Sequence, residues 1–406
     1  MTANGICNPT KRSAGFGFLV LSTLAMLFVV HGGGGYQQIS TLVYSGTFFL
    51  AAIALWFWVK DRQSFSKIQI FFLSSIIAIT FISASFGMLH FDTKSGFNFM
   101  VINLVVFFFA SQVVRRYGNC GTLVLARLFV LMASVASLLA IVLFFYPVEF
   151  MGVTFGREDY FRLVGIFSTS NRFGEVPASG SLAALYLFLA DRPRKKVWLT
   201  ICIVFIFVAF LSGSKGVVLG LVSGLSAFVL LTRLMAQKIM WRLSVLLVPL
   251  VSYGFYLLYD FFVLAMKLDK ILAGRIYVGS GRSEIWAQGV ELFWSATLFQ
   301  QVFGYGATAF VTLTGADAHS MYWSLLVENG LISLVFFGLL FAVAFFLVVA
   351  RKGDRASLVF GFSLVLFCLV RGVAMPTVFN GFNFAMIAFW AGVALIFVGR
   401  RRPCDH

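Results

Sequence analysis

The chain has 406 residues, 60% of them hydrophobic and only 11% charged, with a mean hydropathy of +0.95 and 50 phenylalanines. That composition excludes an ordinary soluble domain and points to a polytopic membrane protein. The formal charge of +16 would fit a nucleic-acid binder, but the placement of the charges gives it another meaning.

Twelve candidate spans run through the sequence at about 14–32, 39–59, 68–89, 97–114, 122–146, 176–190, 197–212, 216–232, 243–259, 323–349, 357–374 and 382–399. Each is about long enough for a ~30 Å hydrocarbon core. The sixth and seventh are short, tilted or partly re-entrant, so ten to twelve crossings fit. The first apolar run lacks a small-residue cleavage site and reads as a retained helix rather than a signal peptide. The expected fold is an all-α, polytopic membrane helix bundle, one integral-membrane domain over residues 1–406.

Charge sets the orientation. With both termini inside, the inner segments hold twenty of the 31 basic residues, among them Lys11, Arg12, Lys60, Arg115, Arg192, Lys195, Arg233, Arg351 and Arg400. Only four acids accompany them: Asp61, Asp191, Asp354 and Asp405. The outer segments balance ten bases with ten acids. This positive-inside asymmetry accounts for the net charge and argues against nucleic acid as a partner. Cys7, Cys120 and Cys404 fall inside and Cys202 and Cys368 within spans, so no disulfide framework is expected.

Two outer segments exceed a short turn, 147–175 and 260–318. Both mix aromatics, charges and glycines. Neither a Walker sequence nor a strand-borne G-x-G-x-x-G occurs, which excludes an attached ATPase domain. In the longer loop, residues 282–294 are helix-permissive. Ile285, Gly289 and Phe293 lie near one stripe beside Trp286, Val290 and Trp294, the pattern of an amphipathic helix along the outer membrane surface. Gly304-Tyr305-Gly306 then makes a turn.

Four outer clusters carry the chemistry-bearing residues. The first is Arg162 followed by Gly165, Asn171 and Arg172. The second is Ser212-Gly213-Ser214-Lys215-Gly216. The third is Gly281-Arg282 with Glu284 and Trp286, and the fourth runs from Ala318-His319-Ser320 to Glu328-Asn329-Gly330. The bland reading of Lys215 is a snorkelling lysine at a helix end. The functional one is a cation beside hydroxyls and glycine amides, presented to an anionic headgroup. Arg162 and Arg172 read as loop charges balanced by Glu158, Asp159 and Glu175. Arg282 opens a helix, where a cation is not electrostatically favoured. His319 is either an interfacial hydrogen-bonded side chain or a base beside those cations. Glu328 and Asn329 lie just inside a span, where a carboxylate is costly unless it faces the bundle interior. Arg127 and Arg371, inside spans, call for buried partners or substrate contact. His31 and His90 read as structural or solvated. No metal-ligand spacing is present.

At these clusters the chain resembles the O-antigen ligase and polymerase superfamily of integral-membrane glycosyltransferases. His319-Ser320, nine residues, then Gly330 is similar to the ligase pattern H-[N/S/Q]-x9-G-x-x-[G/T/Y], with Ser333 departing at the last position. Arg162-x-x-Gly165 leading to Asn171 resembles R-x-x-G…N, with Ser170 where proline is common. Ser214-Lys215-Gly216 stands where Ser-Arg-Gly is usual, keeping charge without the bidentate fork. Gly281-Arg282 with Trp286 resembles G-R…W. The resemblance implies a metal-independent, inverting glycosyl transfer at the periplasmic face of a bacterial inner membrane, with no cofactor. The implied donor is a glycan on undecaprenyl diphosphate, held by Lys215, Arg162 and Arg282, with His319 as base and Arg282 assisting departure. Asn171, Arg172, Ser214, Glu328 and Asn329 would support the site. The acceptor is a second lipid-linked repeat, making the chain a polymerase of O-antigen or exopolysaccharide, or lipid A core, making it a ligase. Polysaccharide assembly proteins are possible partners. A lipid-linked glycan flippase is the alternative of another class.

Overall fold

The computed structural model describes residues 93–117, 119–150, 153–158, 162–165, 167, 169–234, 282–306, 308–350, 355–375 and 384–398, together with Ser74. The expected spans at 14–32, 39–59, 68–89 (apart from Ser74) and 243–259, together with His31, His90 and Gly281, lie outside them. Helices dominate: α1 (Thr93–Tyr117), α2 (Asn119–Phe145), α3 (Ser170–Ala190), α4 (Lys195–Leu211), α5 (Lys215–Leu234), α6 (Arg282–Ser295), α7 (Leu298–Phe303), α8 (Ala309–Thr314), α9 (Met321–Ala350), α10 (Arg355–Gly372) and α11 (Phe384–Phe397). Among the described residues five are long and apolar enough to cross a membrane, namely α2, α3, α5, α9 and α10.

The all-α expectation needs one correction. Between α2 and α3 the chain forms a three-stranded antiparallel meander of β1 (Val148–Phe150), β2 (Val153–Glu158) and β3 (Arg162–Gly165). Alternation over so few residues is too weak a period to read from sequence. The sheet sits on the C-terminal end of α2, where Gly165 is so close that a β-carbon would fall 2.8 Å from the Ala140 methyl.

The shorter outer loop also ends sooner than expected. Helix α3 starts at Ser170 rather than near 176, because the Thr169 hydroxyl accepts the Arg172 amide and caps it. With 21 residues it is long enough to span, so the sixth span is not short. A turn at Arg192–Arg194 returns the chain into α4. There Asp191 takes the Arg127 guanidinium at 3.4 Å and the Trp198 indole at 3.2 Å. Arg127 is thus 55% exposed and paired at the far end of α3 from the outer clusters. It is exposed rather than buried, and its partner is Asp191.

Close helix approaches use small residues, as expected where no water drives association. Gly216, Gly220 and Gly224 form a stripe on α5 that meets α10. A β-carbon at Gly220 would lie 2.6 Å from the Phe367 carbonyl, and one at Gly224 would lie 3.0 Å from that of Ser363. Helix α10 meets α11 through Gly361 and Gly392 in the same way. This stripe brings Arg371 of α10 against the start of α5.

Helix α9 is two helices joined at Gly330, whose φ of 72° and ψ of −177° only glycine adopts readily. The break frees the carbonyls of Val327 and Glu328, which accept the amides of Tyr305 at 2.8 Å and Gly306 at 3.0 Å. Both backbones come together here, and a β-carbon at Gly330 would overlap the Val302 carbonyl. We expect Gly330→Ala to cost at least about 1–3 kcal/mol from backbone strain alone. A lower melting temperature in detergent checks it; an unchanged one would show that the break is not required.

Candidate functional site at the starts of two helices

The first two clusters meet directly. The Arg162 side chain of β3 packs over Gly213, which adopts φ 63° and whose β-carbon would lie 3.1 Å from the guanidinium Nε. One turn into α3, Gly174 leaves room for Ser212, since a β-carbon there would lie 3.1 Å from the serine's own. The starts of α3 and α5 therefore sit side by side, with Arg162 over the intervening turn.

Each of these helix starts carries a cation. The Ser214 hydroxyl accepts the Val217 amide at 3.4 Å and so caps α5, which places Lys215 at its first position and exposed. Arg172 holds the third position of α3 behind Thr169. A helix N-terminus already carries about half a positive charge, so basic side chains there favour an anion nearby. Asn171 is half-buried beside Arg172.

Behind them lies an ion pair that the sequence reading did not anticipate. Glu175 and Arg371 are fully buried and hydrogen-bonded to each other. The other Glu175 oxygen accepts the Ala385 amide at 2.8 Å, at the start of α11. Glu175 is therefore not a loop charge offsetting Arg162. It neutralises Arg371, satisfies a first-turn amide of α11 and sits one turn along from Arg172. The partner that Arg371 required is supplied by the protein itself. Besides Arg371's place inside a span, the GxxxG spacing on α5 was a signal, because it marks a close helix approach.

The third and fourth clusters are joined by the Trp286 indole, which donates to the Ala318 carbonyl at 3.0 Å. Helix α6 forms over the expected residues, and Ile285 and Leu292 pack with Phe310, Tyr305, Val327 and Trp323. The buried stripe therefore runs through Leu292, while Trp294 is 72% exposed. Arg282 is the first residue of α6. On the other side of His319, Met321 packs against Gly372 at the end of α10, one residue from Arg371. Asp317 is a charged neighbour of Arg172, along with Glu175 and Arg371. The His319 segment is thus tied to α6 by Ala318 and to α10 by Met321, with the Asp317 charge near Arg172 of α3. His319 itself is half-buried with a left-handed φ of 48°, a conformation that histidine and asparagine enter more readily than most residues.

Glu328 and Ser333 are buried and Asn329 half-buried at the break in α9. The Ser333 hydroxyl lies 2.7 Å from the Gly330 carbonyl and 3.2 Å from that of Leu325, bridging the break. Comparison of the chain with protein-family models, with curated proteins and with solved structures finds no match.

Proposed function

We propose that the protein transfers an undecaprenyl-diphosphate-linked glycan to a sugar hydroxyl at the periplasmic face of the inner membrane, joining repeat units of an O-antigen or exopolysaccharide. The observation that carries this reading is the pairing of two helix starts, α3 and α5, with Arg172 and Lys215 in their first turns and Arg162 over the turn between them. A departing diphosphate needs fixed positive charge that does not have to reorganise, and helix amides with side-chain cations supply it.

In this reaction the acceptor hydroxyl oxygen attacks the anomeric carbon, and the bond from that carbon to the diphosphate oxygen breaks. The electron pair leaves with the diphosphate, and inversion follows from attack opposite the departing group. His319 takes the acceptor's proton. Arg162, Arg172 and Lys215 hold the diphosphate, with Arg282 assisting from the start of α6. Arg371 is already neutralised by Glu175 and serves to position rather than to bind. Trp286 and Met321 hold the histidine segment on either side.

Ligation to lipid A core is the second reading. The spacing from His319-Ser320 to Gly330, which is similar to the ligase pattern, is what keeps it. A strain lacking the protein distinguishes the two. Loss of a polymerase leaves single repeats on lipid A core, whereas loss of a ligase leaves polymer on undecaprenyl diphosphate. Normal long-chain glycan on its usual acceptor in that strain would overturn both.

A further inference from the structure

The long outer loop contains a segment that the reaction does not use. From Leu292 to Ala316 no residue is charged, which is unusual for a loop bathed in water. Its first half, the corner between α6 and α7, turns apolar side chains outward: Trp294 is 72% exposed, Leu298 78% and Phe299 47%.

The corner also satisfies its own backbone. Thr297 and Gln300 form a reciprocal capping box at the start of α7. The Gln301 amide donates to the carbonyls of Phe293 and Ala296 at the end of α6. Ser295 and Tyr305 both donate to the Leu292 carbonyl. The exposed polar side chains Ser295 and Thr297 are thus engaged locally. Backbone that meets its own hydrogen-bonding needs is what a low-water environment demands.

The position along the membrane normal agrees. Beyond the break at Gly330, helix α9 runs from Leu331 to Ala350, about 30 Å at 1.5 Å per residue, which matches the hydrocarbon thickness. Outward-facing apolar residues begin there, with Leu331 48%, Val335 52% and Leu339 59% exposed. Helix α7 abuts that point, because Val302 packs on Gly330 and the Tyr305 and Gly306 amides close the break. The exposed corner therefore continues the lipid-facing surface of α9 at its outer edge.

We propose that the α6–α7 corner, residues 292–303, is a lipid-docking element seated in the outer leaflet, with the upper acyl chains as its partner. Trp294 sits at headgroup depth and Leu298 and Phe299 below it. The corner fixes the height of α6, and through Trp286 that of the His319 segment, relative to the bilayer.

The test uses the full-length protein in phosphatidylethanolamine–phosphatidylglycerol vesicles. An environment-sensitive fluorescent amino acid replaces Leu298 or, separately, Phe299, so that failure of one variant to assemble leaves the other. Leu339 is the lipid reference and Glu291, exposed on α6, the water reference. Labels at 298 or 299 should emit blue-shifted light, lose more intensity to a shallow nitroxide lipid than the deeper Leu339 label does, and resist iodide supplied on both sides. Iodide quenching equal to that at Glu291 would overturn the proposal. A label shielded from both quenchers would overturn it too, since protein rather than lipid would then cover the corner.

Discussion

Replacing His319 by alanine should lower glycan transfer by about 10²–10⁴-fold, the usual contribution of a positioned general base, while the amount of protein in the membrane stays unchanged. Alanine alone is an imperfect test. At φ 48° an alanine carries roughly 1 kcal/mol of left-handed strain that could disturb the loop. His319→Asn is the matched variant, because asparagine tolerates that conformation and hydrogen-bonds but does not accept a proton near neutral pH. Both variants should fail in a transfer assay with purified lipid-linked glycan. Near-normal transfer by His319→Asn would assign the histidine a conformational role and leave the reaction without this base.

The second large effect concerns stability. Glu175→Ala leaves Arg371 charged and enclosed among α3, α10 and α11, and Arg371→Ala takes from the carboxylate its ion-pair partner, leaving the Ala385 amide and the more distant charge of Arg172. Breaking a buried pair from one side costs about 3–5 kcal/mol, a large part of the 5–15 kcal/mol typical of a folded domain. Either single variant should aggregate on mild heating in detergent. Glu175→Leu combined with Arg371→Met should recover most of the loss, because both charges leave together and the volume remains filled. A double variant as unstable as the singles would show that the carboxylate's bond to the Ala385 amide, rather than charge compensation, holds the start of α11.

The two predictions separate tasks that the sequence left merged. Glu175 and Arg172 are three residues apart and both looked like charges of one loop. The capped start of α3 makes them neighbours on one helix, with Glu175 turned to Arg371. Arg127 and Arg371 looked alike, as cations within apolar runs. One is half-exposed on Asp191 and the other is enclosed on Glu175. Hydropathy cannot tell them apart, because each sits in an apolar run and the partner lies 64 or 196 residues away.

What could be read from the chain depended on near neighbours. Membrane residence followed from composition, and α6 with its Gly304–Gly306 turn from local pattern. The four clusters were visible as motifs because each occupies a short stretch. Their joining was not visible. It depends on Gly213 and Gly174 admitting Arg162 and Ser212, on Trp286 reaching Ala318 and on Gly372 receiving Met321. The break at Gly330 belongs with these, since an isolated helix would gain nothing by interrupting its own hydrogen bonds. It is stable because the Tyr305 and Gly306 amides, from a different part of the chain, take up the carbonyls it releases. Periodicity and charge are properties of adjacent residues and are written in their order. Pairings across the bundle are chosen by close packing and by the cost of leaving a polar group unsatisfied, and those act only once the helices have met.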